Sequence, residues 1–120
     1  MKAGTIEIKD ANVLEGLMAK KFDPALIPVI VWVAVTFGLV ITESYRDKRH
    51  ANDVHGTDPV RAVDLRTRCY DGDGAYRIMD EINNRWIYDP GRPDKKVAMI
   101  HDVGQGLHFH IQVHPNTVRR

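Results

Sequence analysis

The apolar positions of this chain follow two periods. Thr5-Ile6-Glu7-Ile8-Lys9 alternates strictly and predicts a short edge strand. Asn12 to Phe22 carries Val13, Leu14, Leu17 and Met18 at helical spacing, which predicts a helix with one apolar stripe. Asp23-Pro24 then reads as an N-cap followed by proline at the first helical position, with Pro28 as an alternative start. This second helix runs to about Phe37, where Gly38 ends it. Leu39 to Tyr45 opens with apolar and β-branched residues and predicts a strand. Arg46 to Val60 is polar and long for a loop, the kind of connection that tends to carry function. Arg61 to Arg66 is strand-like, with Ala62, Asp64 and Arg66 on one face and Val63 and Leu65 on the other. Asp71-Gly72-Asp73-Gly74 is too short and wrongly spaced for a calcium loop and predicts a turn ending in an Asp73 N-cap. Ala75 to Tyr88 places Ile78, Met79, Ile82 and Trp86 on one face of a third helix. Asp89 to Pro93 is a surface turn. Lys96 to His101 and Leu107 to His114 are strands joined by the tight connection Asp102 to Gly106, an antiparallel hairpin. The order of elements predicts one α+β domain over residues 1–120 with a central antiparallel sheet.

The last strand is unusual in what it alternates. Leu107, Phe109, Ile111 and Val113 form a core-facing row, while His108, His110, Gln112 and His114 share the other face. Neutral imidazole is the commonest metal-ligand side chain. A row of imidazoles held by a strand therefore reads either as part of a metal site or as a histidine-rich solvated face.

Composition narrows the function classes. The chain has 120 residues, enough for one domain with a modest core, and a formal net charge of +1. That balance, with no basic stripe interleaved with aromatics, gives no reason to expect nucleic acid. One cysteine, Cys69, excludes an internal disulfide and a cysteine-rich zinc knuckle, and it reads as a small buried or half-buried thiol. The first residues run straight into charged sequence, so no signal peptide is expected. Ala25 to Thr42 is long and apolar enough to raise a membrane span. Pro28 and the break at Phe37-Gly38 favour a helix, a glycine stop and a buried strand instead.

A zinc hydrolase site typically has three protein ligands and one open position. His108 or His110 supplies one ligand. His55 lies in a glycine-containing loop that leads into the strand bearing Asp64. Asp64 falls among Ala62, Val63 and Leu65, where an acid is costly unless paired or ligated. Arg61 or Arg66 could pair it, but with the histidines a His-Asp-His metal site is the better account. Other chemistries fit less well. A cupin also uses His-x-His, yet Ile111 to Arg120 contains no acid to complete its ligand set. Ser44 is the sole serine, with no sign of activation, and Gly104-Gln105-Gly106 is a turn rather than a phosphate loop.

Three stretches resemble a known family: Ile41-Thr42-Glu43-Ser44-Tyr45-Arg46, then His55-Gly56 with Ala62-Val63-Asp64-Leu65, then His108-Phe109-His110. Together they look like the zinc peptidase superfamily of lysostaphin, D-Ala-D-Ala metallopeptidases and hedgehog signalling domains. The likeness covers about Leu39 to Val113 and is nearest to the D-Ala-D-Ala carboxypeptidase and phage endolysin type. It implies a small antiparallel sheet with helices packed on one side. It also implies Zn2+ as cofactor, held by His55, Asp64 and His110, and a peptidoglycan stem peptide as substrate. His108 becomes an acid/base residue beside the ligands, and Arg46 and Tyr45 become substrate-binding residues, Arg46 as the binder of a substrate carboxylate. Two departures stand out. The spacing from His55 to Asp64 is longer than the family's usual one, with Asp58-Pro59 among the extra loop residues. The carboxypeptidase branch also has an acid three residues before its last histidine ligand. Here that position is Leu107 before His110, or Gln105 before His108. Asp102 or His108 has to serve as the base. If neither does, the chain is a zinc-binding, catalytically inactive interaction module of the same fold. Without a signal peptide, a peptidase of this kind would be cytoplasmic or released to the wall by a phage-type lysis system.

Overall fold

A computed structural model of the chain describes residues 1–102, 104 and 106–120. Three helices accompany a five-stranded sheet and a separate two-stranded ribbon. β1 (Ile6–Ile8) is followed by α1 (Ala11–Ala19) and α2 (Leu26–Phe37), and then by β2 (Leu39–Glu43) and β3 (Ala62–Leu65). α3 (Gly74–Arg85), β4 (Trp86–Ile87), β5 (Ala98–Asp102), β6 (Leu107–Gln112) and β7 (Val118–Arg119) complete the order. The large sheet runs β1-β2-β3-β6-β5, and β4 pairs with β7.

The sheet is mixed rather than antiparallel throughout. β1 runs parallel to β2, with Ile6 opposite Leu39 and Ile8 opposite Ile41. The helices between them carry the chain back to the same end, as parallel strands require. The other pairings are antiparallel, and β5 and β6 form the expected hairpin, with His101 opposite His108. Gln105, within the connecting turn, lies outside the described residues.

Local chemistry explains the element boundaries. Asp10 caps α1, its carboxylate accepting the Val13 N–H at 3.0 Å. That helix ends sooner than its apolar pattern suggests, because Phe22 forms an isolated bridge with Val60. Asp23 accepts the Ala25 N–H at 2.8 Å, and α2 begins at Leu26. Pro28 therefore sits in the first turn, where its missing N–H costs nothing. Gly38 closes the helix with φ of 76° and donates its N–H to the Ala34 carbonyl at 3.0 Å. Asp73 occupies the N-cap position of α3, but its side chain makes no capping bond and pairs instead with Arg77 at 3.5 Å. α3 also stops earlier than expected. Trp86 leaves the helix to open β4, because Arg119 on β7 supplies it with a strand partner.

One cluster of buried side chains joins the three helices to the sheet. It contains Val13 of α1, Leu26, Val29 and Val33 of α2, and Ile78 and Ile82 of α3. Leu39, Ile41, Val63, Leu65, Phe109 and Ile111 meet them from the strands. Leu107, which shares their alternation, is exposed because it stands at the strand's free end beside the turn. The core-facing row of β6 leaves His108, His110 and Gln112 on the opposite face. Ala25 to Thr42 divides as the glycine predicts, into a 12-residue helix and a buried strand. Among the described residues no helix is long and apolar enough to cross a membrane.

Candidate metal centre

The strand face turned away from the core forms one wall of a cleft of about 670 Å³. Asp64, Met99, His101, His108, His110 and Gln112 contribute to it from β3, β5 and β6. The loop after β2 closes the other side and brings in His55. A short 3-10 turn, Val54–Gly56, carries that histidine; Asp53 caps it by accepting the His55 N–H at 3.1 Å. The Arg46 N–H donates to the His55 carbonyl at 3.2 Å, tying the turn to the end of β2. The extra loop residues are thus accommodated without pulling His55 away from the sheet.

His55, Asp64 and His110 converge, one ligand atom from each lying within 4.8 Å of the others. This is a group that could hold a metal ion. Asp64 and His110 face each other directly in the β3–β6 register. The Asp64 Oδ1 atom lies 2.9 Å from His110 Nδ1 and 3.3 Å from His55 Nε2. Each imidazole is also held by its other nitrogen. His55 Nδ1 lies 2.9 Å from the Ser44 carbonyl, which can only accept, so Nδ1 carries the proton. His110 Nε2 lies 3.2 Å from Gln112 Oε1, and the Gln112 amide nitrogen donates to the Lys96 carbonyl at 3.0 Å. That second bond orients the amide, so its oxygen accepts from His110 Nε2.

The proton count is informative. With those N–H groups directed outward, the inner ring nitrogens both approach one oxygen of Asp64. Lone pairs facing lone pairs repel unless a proton or a cation lies between them. Burial pushes Asp64 toward the neutral acid, but hydrogen bonds from His110 and His55 and their charges outweigh it and hold the carboxyl well below its ordinary range. A carboxylate between two outward-tethered imidazoles is a group that could hold a metal ion. Distal N–H groups bound to oxygen acceptors are the usual support for histidine ligands.

The remaining predicted residues are dispersed. His108 lines the cleft, and its ring stacks on His101 with centroids 6.5 Å apart and planes 7° from parallel. His101 also lies 6.3 Å from the His110 ring. Sequence reasoning passed over His101, although Met99 and His101 alternate onto the same face and a hairpin register sets His101 opposite His108. Arg46 lines the cleft, but its guanidinium sits between Glu43 at 3.4 Å and Asp53 at 3.2 Å. Its Nε is buried without a partner among the described residues. Asp102 stands at the exposed end of β5, where Oδ1 accepts the Gly104 N–H at 2.8 Å. Tyr45 turns toward α1, with Lys20 Nζ 5.9 Å from its ring centroid. Neither Asp102 nor Tyr45 is among the described residues that wall the cleft. His114 lies beyond the end of β6, beside Tyr88 and Asp89. Cys69 is half-buried, its Sγ 3.2 Å from the Arg66 carbonyl, and burial pushes the thiol pKa up. Compared with protein-family models, curated proteins and solved structures, the chain matches none of them.

Proposed function

We propose that this chain is a zinc-dependent peptidase acting on peptidoglycan stem peptides, of the D-Ala-D-Ala carboxypeptidase or endolysin type, with His55, Asp64 and His110 as its zinc ligands. The observation that carries the reading is the pair of outward-tethered imidazoles aimed at one carboxylate oxygen. Two imidazole nitrogens and a carboxylate oxygen suit zinc, and three protein ligands leave one position open. Zinc bound there supplies a Lewis acid that polarises a carbonyl and acidifies water near neutral pH. The protein's own part is proton handling and placement. His108 takes a proton from the attacking water and returns it to the leaving amine. His101 stacks its ring parallel to that of His108, and both line the cleft. An α+β arrangement with helices packed on the sheet supports the reading in outline, although the sheet is mixed where the resemblance implies an antiparallel one.

A second reading is a zinc-bearing binding module without peptidase activity. It is favoured by the missing acid at Leu107 and by the pairing of Arg46 with Glu43 and Asp53. One experiment separates the two. The purified protein is loaded with zinc, its metal content is measured, and release of amines from purified peptidoglycan is followed. The peptidase reading expects about one zinc per chain and new amino groups. Zinc uptake with inert peptidoglycan hands the site to the binding module, and absence of zinc uptake removes both.

A further inference from the structure

A second cavity of about 430 Å³ adjoins the metal cleft, and Asn52, Asp53, Val54 and Gln112 stand in the walls of both. Its outer wall is basic: Lys48, Arg61, Arg92 and Lys95 converge there from three separate stretches of chain. Arg92 is engaged by Asp89, with Nε and Oδ2 3.1 Å apart. No ion pair among the described residues takes up Lys48, Arg61 or Lys95. Asp53 is the one acid among the described lining residues, and its carboxylate already accepts from Arg46 Nη2 and from the Arg49 and His55 N–H groups. Three uncompensated cations thus face one small concave space, which concentrates positive potential. Arg61 is the best placed of them. Its backbone is fixed at both ends, the N–H donating to Thr57 Oγ1 at 3.1 Å and the carbonyl accepting from the Val113 N–H at 2.8 Å. Its planar guanidinium offers a fork of donors that matches a planar oxyanion in two bonds.

We propose that this cavity is the subsite for a carboxylate of the peptide whose scissile bond lies in the adjoining cleft. The assignment rests on the peptidase reading for its substrate class, and it moves carboxylate recognition from Arg46, whose guanidinium is already paired, to Arg61, Lys48 and Lys95. The Gln112 side chain stands between the two spaces, one end on His110 and the other on the Lys96 carbonyl. A peptide bridging them places its carboxylate beside the metal ligands rather than on them.

The test compares N-acetyl-D-alanyl-D-alanine with its C-terminal carboxamide by calorimetric titration of the full chain, zinc-free and zinc-loaded. The zinc-free titration removes direct binding of the acid to metal. The acid is expected to bind about tenfold tighter than the amide or better, the scale of a charge-assisted hydrogen bond, and more weakly as salt rises. In the Arg61→Gln/Lys95→Gln double variant the gap should close while zinc content stays unchanged. If that variant fails to fold, Lys48→Gln and chemical-shift mapping of the Arg61 and Lys95 amides give the same reading. Equal affinity for acid and amide in the wild type overturns the proposal, as does a gap that survives in the double variant. Inorganic phosphate binding tighter than the acid, and not displaced by it, assigns the cavity to a phosphoryl ligand and overturns the carboxylate. The two readings fail separately. A wild-type gap that closes in the double variant, without any hydrolysis, sinks the peptidase alone, and hydrolysis without a gap sinks this subsite alone.

Discussion

Asp64 receives two imidazoles on a single oxygen, and that fact orders the expectations for individual residues. His55→Ala and His110→Ala should each lose bound zinc on metal analysis, because two remaining donors cannot hold the ion through dialysis. Full zinc content in either variant removes that residue from the ligand set. His108 stands outside the His55/Asp64/His110 group, so His108→Ala should keep its zinc and lose hydrolysis by roughly 10²–10⁴-fold, the usual contribution of general acid–base catalysis. Asp102 is the competitor for the base. It is committed to the Gly104 N–H and stands outside the cleft wall, so Asp102→Asn should stay active. An active His108→Ala beside a dead, zinc-loaded Asp102→Asn would reverse the assignment. A different residue governs acid stability. The Gly91 N–H bond, with Arg92 and Asn116, holds Asp89 below its ordinary value of 3.8. A depressed carboxyl contributes stability above the unfolded value and loses it as pH falls through the folded one. Melts of wild type and Asp89→Asn should therefore differ by a constant amount near neutrality. The difference should shrink below about pH 3.8, and one that grows on acidification contradicts the sign.

At the scale of elements, the join between α2 and β2 depends on one residue. Gly38 has φ of 76°, and a Cβ there would collide with the Lys2 carbonyl. Gly38→Ala should cost roughly 1–3 kcal/mol, the range for a strained non-glycine backbone, measured by urea unfolding; an unchanged midpoint would show that the segment at Lys2 moves aside freely. That glycine is plain in the sequence because a helix stop is a local signal. The alternation of β3 and β6 is equally local, and by itself it turns Asp64 and His110 away from the apolar rows of their strands. What is hidden depends on distant partners. Nothing near Ile6 says that it runs parallel to Leu39. Trp86 completes the apolar stripe of α3, yet it goes into a strand because β7, more than thirty residues on, pairs with it. His101 is legible in principle, since its alternation and the hairpin register both point to His108. The basic cavity is not, because Lys48, Arg61 and Lys95 share no motif and meet only in three dimensions.

In the whole molecule, the core and the candidate metal centre occupy opposite faces of one sheet. The apolar cluster draws on all three helices and on β2, β3 and β6, and none of the three ligands belongs to it. Zinc fingers lack such a core and unfold without metal. Here the hydrophobic side contains none of the candidate ligands, so a metal at the proposed site would have only the cleft to organise. Two of the proposed ligands, Asp64 and His110, lie on paired strands, already fixed by the β3–β6 register. The third rides on the loop after β2, held by the Arg46 and Ser44 backbone contacts. Removing zinc should therefore free the loop and leave the fold. The chelated protein should keep its far-ultraviolet circular dichroism and a single cooperative melt. Adding zinc at a hundred times its dissociation constant should stabilise it by about 2.7 kcal/mol through mass action on the native state alone. Hydrogen exchange should slow mainly in the segment around Val54–Gly56, since the loop carries the one ligand that the sheet does not hold. An apo form with no cooperative melt would show that the cluster does not suffice and that the centre is structural. A melt indifferent to zinc would mean that His55, Asp64 and His110 hold no ion.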